Sequence, residues 1–247
     1  MKKIFGKIGF LWFAIVFAGQ FLLYYPLFLI FLSHESMYPL ANALRKFWAW
    51  TTLLLTASWP IIKYSKDQFS TPCVFVANHT SYLDIVVLGL FAPLKVCFIG
   101  KYELAKIPLF GIFFRTVDIA VKRESIKDAH RAFEEAKARL ARGYSVLIFP
   151  EGTIWNRTPE IKPFKNGAFK MAIEAKVPIV PISFLNNFKR LPDEKFEFYP
   201  GLIRCSIHRP ILTNHLNDAD ADQLKDEIYQ TIKQDLIQNH ILHEDHR

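Results

Sequence analysis

The chain has 247 residues, 51% of them hydrophobic, and carries 31 Lys and Arg against 23 Asp and Glu. That length suits one domain with an appendage, and the apolar content is above that of an average soluble enzyme. Three cysteines, an odd number widely spaced, exclude a disulfide framework, and a net charge of +8 points to an anionic surface as partner.

Residues 8–32 contain no Asp, Glu, Lys or Arg. A helix of that length reaches roughly 37 Å, more than the ~30 Å hydrocarbon core of a bilayer. Pro26 predicts a kink or a break in it. Lys2, Lys3 and Lys7 would also suit a signal peptide, but the apolar run outlasts the usual 7–15 residues, so a membrane anchor is expected. A second apolar stretch, 47–62, is short for a span and holds Trp48, Trp50 and Trp59, a residue type favoured at membrane interfaces. Basic residues flank both stretches. A helical hairpin, or a kinked segment in one leaflet, keeps them all on the cytoplasmic side, which would be that of the inner membrane in a bacterium. The expected organisation is a helical membrane-anchoring region over 1–65 and an α/β domain over 66–247. No nucleic-acid motif accompanies the dispersed basic residues, so lipid headgroups are the expected anionic partner.

Beyond residue 65, strand-like runs at 73–77, 96–99, 118–121, 145–149 and 179–184 alternate with helical stretches. The clearest helix is 126–142, with Ser125 and Asp128 as a capping box and Gly143 as its stop. Residues 195–199 and 203–209 read as two later strands. Leu224, Ile228, Ile232 and Leu236 mark a closing amphipathic helix. The pattern is α/β, one mixed sheet flanked by helices. Cys73, Cys97 and Cys205 read as buried small hydrophobes.

Two motifs carry chemistry. The run 73–77 leads into Asn78-His79-Thr80-Ser81-Tyr82-Leu83-Asp84, and 145–149 leads into Pro150-Glu151-Gly152-Thr153. Both strands would deliver their motifs to one sheet edge, where α/β folds build their sites. On one continuous helix His79 and Asp84 would lie about 500° apart, on different faces, so they meet only if His79 sits in the loop and Asp84 on the first helical turn. With Ser81 as N-cap, Asp84 at N3 can complete a capping box and still face the imidazole. Asp84 would then fix the tautomer and leave the other nitrogen to take a proton from a substrate hydroxyl. No serine or cysteine elbow is present, so the nucleophile belongs to the substrate. Lys101, Arg115, Lys122 and Arg123 are cations available to an anionic substrate. The tail His240, His243, His246 has metal-ligand spacing, but a fraying terminus makes a functional metal site the weaker reading.

These residues resemble the glycerolipid acyltransferases typified by 1-acylglycerol-3-phosphate acyltransferase. The resemblance covers about 72–182 and four motifs in order: Asn78-His79 with Asp84; Lys101-Tyr102-Glu103-Leu104, Ile107-Pro108, Phe110-Gly111, Arg115 and Arg123; Phe149 to Thr153; and Val177-Pro178-Ile179-Val180-Pro181. It implies an acyltransferase domain in which His79 and Asp84 are catalytic and Asn78, Lys101, Arg115, Lys122, Arg123, Glu151, Gly152 and Thr153 bind substrate. Two positions depart from the family pattern. Ile154 stands where an arginine commonly follows Glu-Gly-Thr, and Val117 where glycine is common; Lys122 is a candidate replacement for the missing cation.

The implied reaction moves a fatty acyl group from acyl carrier protein or coenzyme A to the sn-2 hydroxyl of lysophosphatidic acid, giving phosphatidic acid. A thiol is a good leaving group, so this reading calls for no metal and no cofactor beyond the thioester co-substrate. Another lyso-lipid acceptor, a thioester hydrolase and a catalytically silent lipid-binding protein are the alternatives.

Overall fold

The structure, a computed structural model, describes residues 1–193 and 195–242, so His243 and His246 lie outside it. It opens with α1 (Lys2–Phe31), a 3₁₀ turn (Glu35–Met37) and α2 (Tyr38–Leu55). The two helices run antiparallel: the Trp12 indole N–H donates to the Leu55 carbonyl at 2.9 Å and that of Trp48 to the Phe17 carbonyl at 3.1 Å. Pro26 does not interrupt α1.

The sheet then assembles from β1 (Ser58–Tyr64), β2 (Val74–Ala77), β3 (Val96–Lys101), β4 (Ile119–Val121), β5 (Ser145–Ile148), β6 (Ile179–Phe184) and β7 (Gly201–Ile207). Spatial order is β1-β7-β6-β2-β5-β3-β4, with every neighbouring pair parallel except β6 and β7. Between the strands lie α3 (Leu83–Phe91), a 3₁₀ turn (Tyr102–Lys106), α4 (Ile112–Arg115), α5 (Ile126–Ala141), α6 (Gly167–Ala175) and α7 (Asn187–Arg190); α8 (Ala221–Gln238) closes the chain. The predicted mixed α/β sheet is present.

Both faces of the sheet are covered, so the central strands are buried throughout. Strand alternation sends Val74 and Val76 toward a core shared with α5, α6 and α8, and Phe75 and Ala77 toward one shared with α3 and the N-terminal helices. Leu224, Ile228, Ile232 and Leu236 are all buried, as the period of α8 predicts. All three cysteines are free and buried, and burial pushes the Cys73 and Cys205 thiols up to about 12. On α5 the Ser125 hydroxyl accepts the Asp128 N–H at 3.2 Å, but the Asp128 carboxylate takes the Lys122 N–H at 2.6 Å, so only half of the expected box forms.

Three expectations change. The stretch 47–62 is not one helix, because Ala57 adopts φ 50° after α2 and the chain continues into β1, paired in register with β7. Trp59, Ile61 and Ile62 favour a strand, and Pro60 is tolerated because β1 is a sheet edge. The division at residue 65 therefore cuts behind a strand of the sheet. Nor is α1 an appendage apart from the domain: Phe13, Phe21 and Phe28 are buried, and a Cβ at Gly9 would overlap the Phe198 carbonyl oxygen. The stretch 195–199 is not a strand. Its alternation does bury Phe198 and expose Phe196, but the Phe198 N–H donates to the Gly6 carbonyl of α1 at 2.9 Å.

One buried ion pair ties the helical pair to the sheet. Arg45 of α2 grips Asp118 through two bonds, of 3.1 and 2.6 Å, and its guanidinium lies 3.9 Å from the centre of the Phe113 ring. Asp118 also accepts the Phe98 N–H at 3.1 Å. Removing one partner strands the other charge, so Asp118→Ala should cost about 3–5 kcal/mol, while Arg45→Met with Asp118→Leu should recover most of it. Urea unfolding of the three proteins reads this out. A single variant as stable as the parent would show that the pair is solvated.

Candidate active site

β2 and β5 are adjacent and parallel, with Val74 opposite Val146 and Val76 opposite Ile148. Their carboxyl ends therefore place His79 and Glu151 side by side.

His79 leaves the strand in a loop, and α3 begins four residues on. Its Nδ1 lies 3.0 Å from Asp84 Oδ2, which also accepts the backbone N–H groups of Thr80 at 2.7 Å and Ser81 at 2.9 Å. The other carboxylate oxygen accepts from the Thr80 hydroxyl at 3.3 Å and from Asn187 Nδ2 at 2.7 Å. The Ser81 hydroxyl accepts the Leu83 N–H at 3.1 Å and donates to the Leu191 carbonyl at 2.7 Å. Asp84 thus closes the helix start and orients the imidazole at once. With the Nδ1 proton directed at Asp84, Nε2 is the basic nitrogen, and no protein group bonds it among the described residues. The imidazole stacks on Phe149, ring centres 3.9 Å apart at 14°.

Glu151 is 2% exposed and turns inward. One carboxylate oxygen accepts the His79 N–H at 2.6 Å and the other the Lys162 N–H at 2.8 Å, so it braces the first motif against the second. Burial pushes its pKa up to about 7, against those two amides, which pull it down. Asn78 is also committed to backbone, giving and taking one bond with Phe184 at 3.1 and 2.7 Å and so prolonging the β2–β6 ladder.

His79 opens on a cavity of ≈ 230 Å³. Phe17 and Trp48 of the helical pair, Val86 of α3 and Phe113 of α4 line it, with Arg45 and Asp118 also in its wall. Lys101, Arg123 and Thr153 border it, and Ile154 occupies the wall after the second motif. Gly152, at φ +78°, borders a neighbouring cavity together with Arg123 and Lys165. Arg115 is exposed and outside both cavities, as is Lys122, whose ammonium sits 4.4 Å from the centre of the Tyr102 ring. Of the residues singled out in the sequence, the fold brings His79, Asp84, Lys101, Arg123, Gly152 and Thr153 to one centre. It uses Asn78 and Glu151 as braces, and it leaves Arg115 and Lys122 aside. Asn187, Arg45 and Lys165 carried no local signal. Phe149 did, as the residue that opens the second motif.

Residues 61–185, just over half of the chain, match the acyltransferase family. The chain belongs to that family. A 1-acyl-sn-glycerol-3-phosphate acyltransferase of Chlamydomonas reinhardtii is 35% identical over 170 residues, which are 67% of this acyltransferase and 48% of the algal protein. The human 1-acyl-sn-glycerol-3-phosphate acyltransferase beta is 31% identical over 175 residues, 67% of this chain and 60% of the human one. The acyltransferase spans about half the length of the curated relatives it matches. The crystal structure of PlsC, the 1-acyl-sn-glycerophosphate (LPA) acyltransferase of Thermotoga maritima, superposes with a TM-score of 0.78 over 98% of this chain and 99% of that one. Identity there is 23%, so the shared property is the fold.

Two measurements probe this geometry. Glu151 has a folded pKa above its ordinary 4.5, so the folded state binds more protons between pH 4.5 and about 7. Its contribution to stability is fully present below 4.5, falls as pH rises to about 7, and is flat beyond. Urea midpoints across that window should decline less steeply in Glu151→Gln; an unchanged slope would show that Glu151 is not the titrating group. Separately, His79→Ala should lower turnover by about 10²–10⁴ with folding intact. Asp84→Asn should lower turnover by a comparable factor, through the wrong tautomer and the loss of an acceptor for two amides. Near-normal turnover in Asp84→Asn would reduce Asp84 to a helix cap.

Proposed function

We propose that this acyltransferase moves a fatty acyl group from an acyl thioester, acyl carrier protein or coenzyme A, to the sn-2 hydroxyl of lysophosphatidic acid, at the cytoplasmic face of a membrane. The observation that carries the proposal is the free Nε2 of an Asp84-oriented imidazole at the mouth of an apolar cavity rimmed by cations.

Nε2 takes the proton of the acceptor hydroxyl as its oxygen attacks the thioester carbonyl carbon. A C–O bond forms, and the carbonyl oxygen becomes an oxyanion. Collapse breaks the C–S bond, and the leaving thiolate recovers the proton from the imidazolium. The products are the ester and the free thiol, and His79 returns to its starting state. Lys101 and Arg123 neutralise the acceptor phosphate, and the first cavity takes an alkyl chain out of water, which stabilises it by about 0.8 kcal/mol per methylene.

The helical pair supplies the membrane seat. α1 is long and apolar enough to cross a membrane, yet it packs against α2 and the domain while Leu22, Leu23, Leu27 and Ile30 stay exposed. Trp12, Trp50 and Trp59, each about half exposed, suit the headgroup level. An antiparallel pair lying in one leaflet keeps the basic flanks of both apolar stretches on one side.

Purified protein incubated with labelled acyl thioesters and a panel of lyso-lipids tests the activity. Labelled phosphatidic acid is the expected product. Free fatty acid without an acceptor would identify a hydrolase, and transfer confined to other lyso-lipids would reject the acceptor. Arg123→Ala should raise the KM for lysophosphatidic acid more than that for the thioester, and equal effects would deny it a headgroup role. Leu23→Asp with Leu27→Asp should move the protein from the membrane to the soluble fraction while its unfolding midpoint holds. Retention on membranes would place the seat elsewhere.

A further inference from the structure

The short helix α7 stands over the first motif and is fastened to the sheet behind it. The Leu185 N–H continues the β6–β7 ladder onto the Arg204 carbonyl at 3.1 Å, and two asparagines follow. Asn186 turns to β7, accepting the Arg204 N–H at 2.7 Å and donating to the Leu202 carbonyl at 2.9 Å. Arg190 donates to the Leu202 and Pro200 carbonyls at 3.1 and 3.0 Å, and its own carbonyl accepts the Tyr199 N–H at 2.7 Å. Both ends of α7 are therefore fixed. Its other side meets the loop after β2: the Leu191 carbonyl accepts from the Ser81 hydroxyl at 2.7 Å, and Asn187 Nδ2 donates to Asp84 Oδ1 at 2.7 Å.

Asn187 is fully buried, and its bonding is lopsided. A carboxylate only accepts, so the amide nitrogen must face Asp84. The amide oxygen is then left buried with no partner among the described residues. An apolar side chain of the same shape would leave no such orphan, so stability alone gives no reason for an amide here. Asp84 has other donors, but they are unevenly shared. Its Oδ2 takes His79 Nδ1 and the N–H groups of Thr80 and Ser81. Apart from Asn187, Oδ1 has only the Thr80 hydroxyl, at 3.3 Å. The carboxylate torsion of an aspartate is broad, with no staggered well to hold it. One short bond to Oδ1 from a fixed support stops that rotation.

We propose that Asn187 is a positioning residue for the base: it pins one oxygen of Asp84 and thereby keeps the other on Nδ1 of His79. This rests on the reading of His79 as the base of the acyl transfer. Asn187 lines neither cavity, so it acts only through Asp84. Free to turn, the carboxylate would divide itself between the imidazole and the Thr80 and Ser81 amides, and Nδ1 would lose its fixed acceptor. The ring proton would then distribute over both nitrogens. Every molecule carrying it on Nε2 lacks a base at the cavity mouth.

The test uses the full-length protein. Asn187→Leu removes the donor and the orphan acceptor together and leaves the bonds of Asn186 and Arg190 to β7 in place. Its unfolding midpoint should stay close to the parent's, while kcat falls about 10- to 10²-fold and the KM values for thioester and acceptor hold. The nitrogen NMR spectrum of isotopically labelled histidine, with His79 assigned by its loss in His79→Ala, gives a reading independent of activity. With the ring neutral, the parent should show the Nδ1–H form alone and Asn187→Leu a mixture of the two tautomers. In the Asp84→Asn background, Asn187→Leu should cost little more, because the two side chains act as one unit. A parent-like kcat, a parent-like tautomer in the variant, or full multiplication of the two losses would each overturn the proposal and reduce Asn187 to part of the fold. Should Asn187→Leu not fold, Asn187→Ala, which adds no bulk, takes the same measurements. Failure of the parent to acylate any lyso-lipid would instead defeat the acyl-transfer reading, and the histidine spectrum would still decide whether Asn187 sets the tautomer.

Discussion

The carboxylate of Asp84 has no exposed surface, yet it carries the order of the whole sheet edge at which His79 stands. A buried carboxylate without partners would cost several kcal/mol, and here five donors converge on it. Two come from the backbone just after β2, so the loop cannot relax without stranding the charge. One comes from Asn187, 103 residues away, which ties the loop to the short helix after β6. The imidazole is the remaining variable, and its tautomer follows from the site rather than from solvent. A single buried group thus fixes an imidazole at a strand end.

The second constraint is parallel pairing. β2 and β5 stand next to each other only because a crossover separates them in sequence, and their carboxyl ends then share an edge. Glu151 converts that adjacency into a bond by holding the His79 amide. The motif that reads as a ligand-binding turn is therefore half brace and half rim: Glu151 faces inward, while Gly152 and Thr153 reach the cavities. Phe149 adds a wall against the imidazole, so the sequence Phe-Pro-Glu-Gly-Thr supplies a partition, a strand stop, a brace and a rim in consecutive positions.

What was legible in the sequence was local. The hydrophobic runs located the central strands within a residue or two, the period of α8 predicted its buried face, and the break at Thr80-Ser81 predicted that Asp84 could cap the helix and face His79 together. The failures come from partners distant in the chain. Residues 58–62 read as apolar continuation of a helix because the strand that pairs with them, β7, lies about 140 residues on. Residues 195–199 alternate like a strand, but the Phe198 N–H donates to the Gly6 carbonyl of α1 and the Tyr199 N–H to the Arg190 carbonyl. Glu151 looked available to a substrate because nothing near it in sequence announces the Lys162 amide. Arg45 and Asp118 are 73 positions apart, and no spacing rule joins them.

That last pair shows how the helical region and the domain become one unit. A buried ion pair is weak evidence for stability, since desolvation offsets much of the attraction. Here the geometry recovers part of that cost: the fork of Arg45 meets Asp118 through two bonds, its plane lies on Phe113, and the spare lone pair of Asp118 takes a strand amide. Hydrophobic packing alone would let α1 and α2 slide across the sheet at little cost, because one apolar contact replaces another. A directional, desolvated pair does not allow such sliding. It fixes α2 against β3 and the start of β4, and in doing so fixes the wall of the cavity that begins at His79. The exposed apolar face of the helical pair and the pocket that opens at His79 are consequently held in one register.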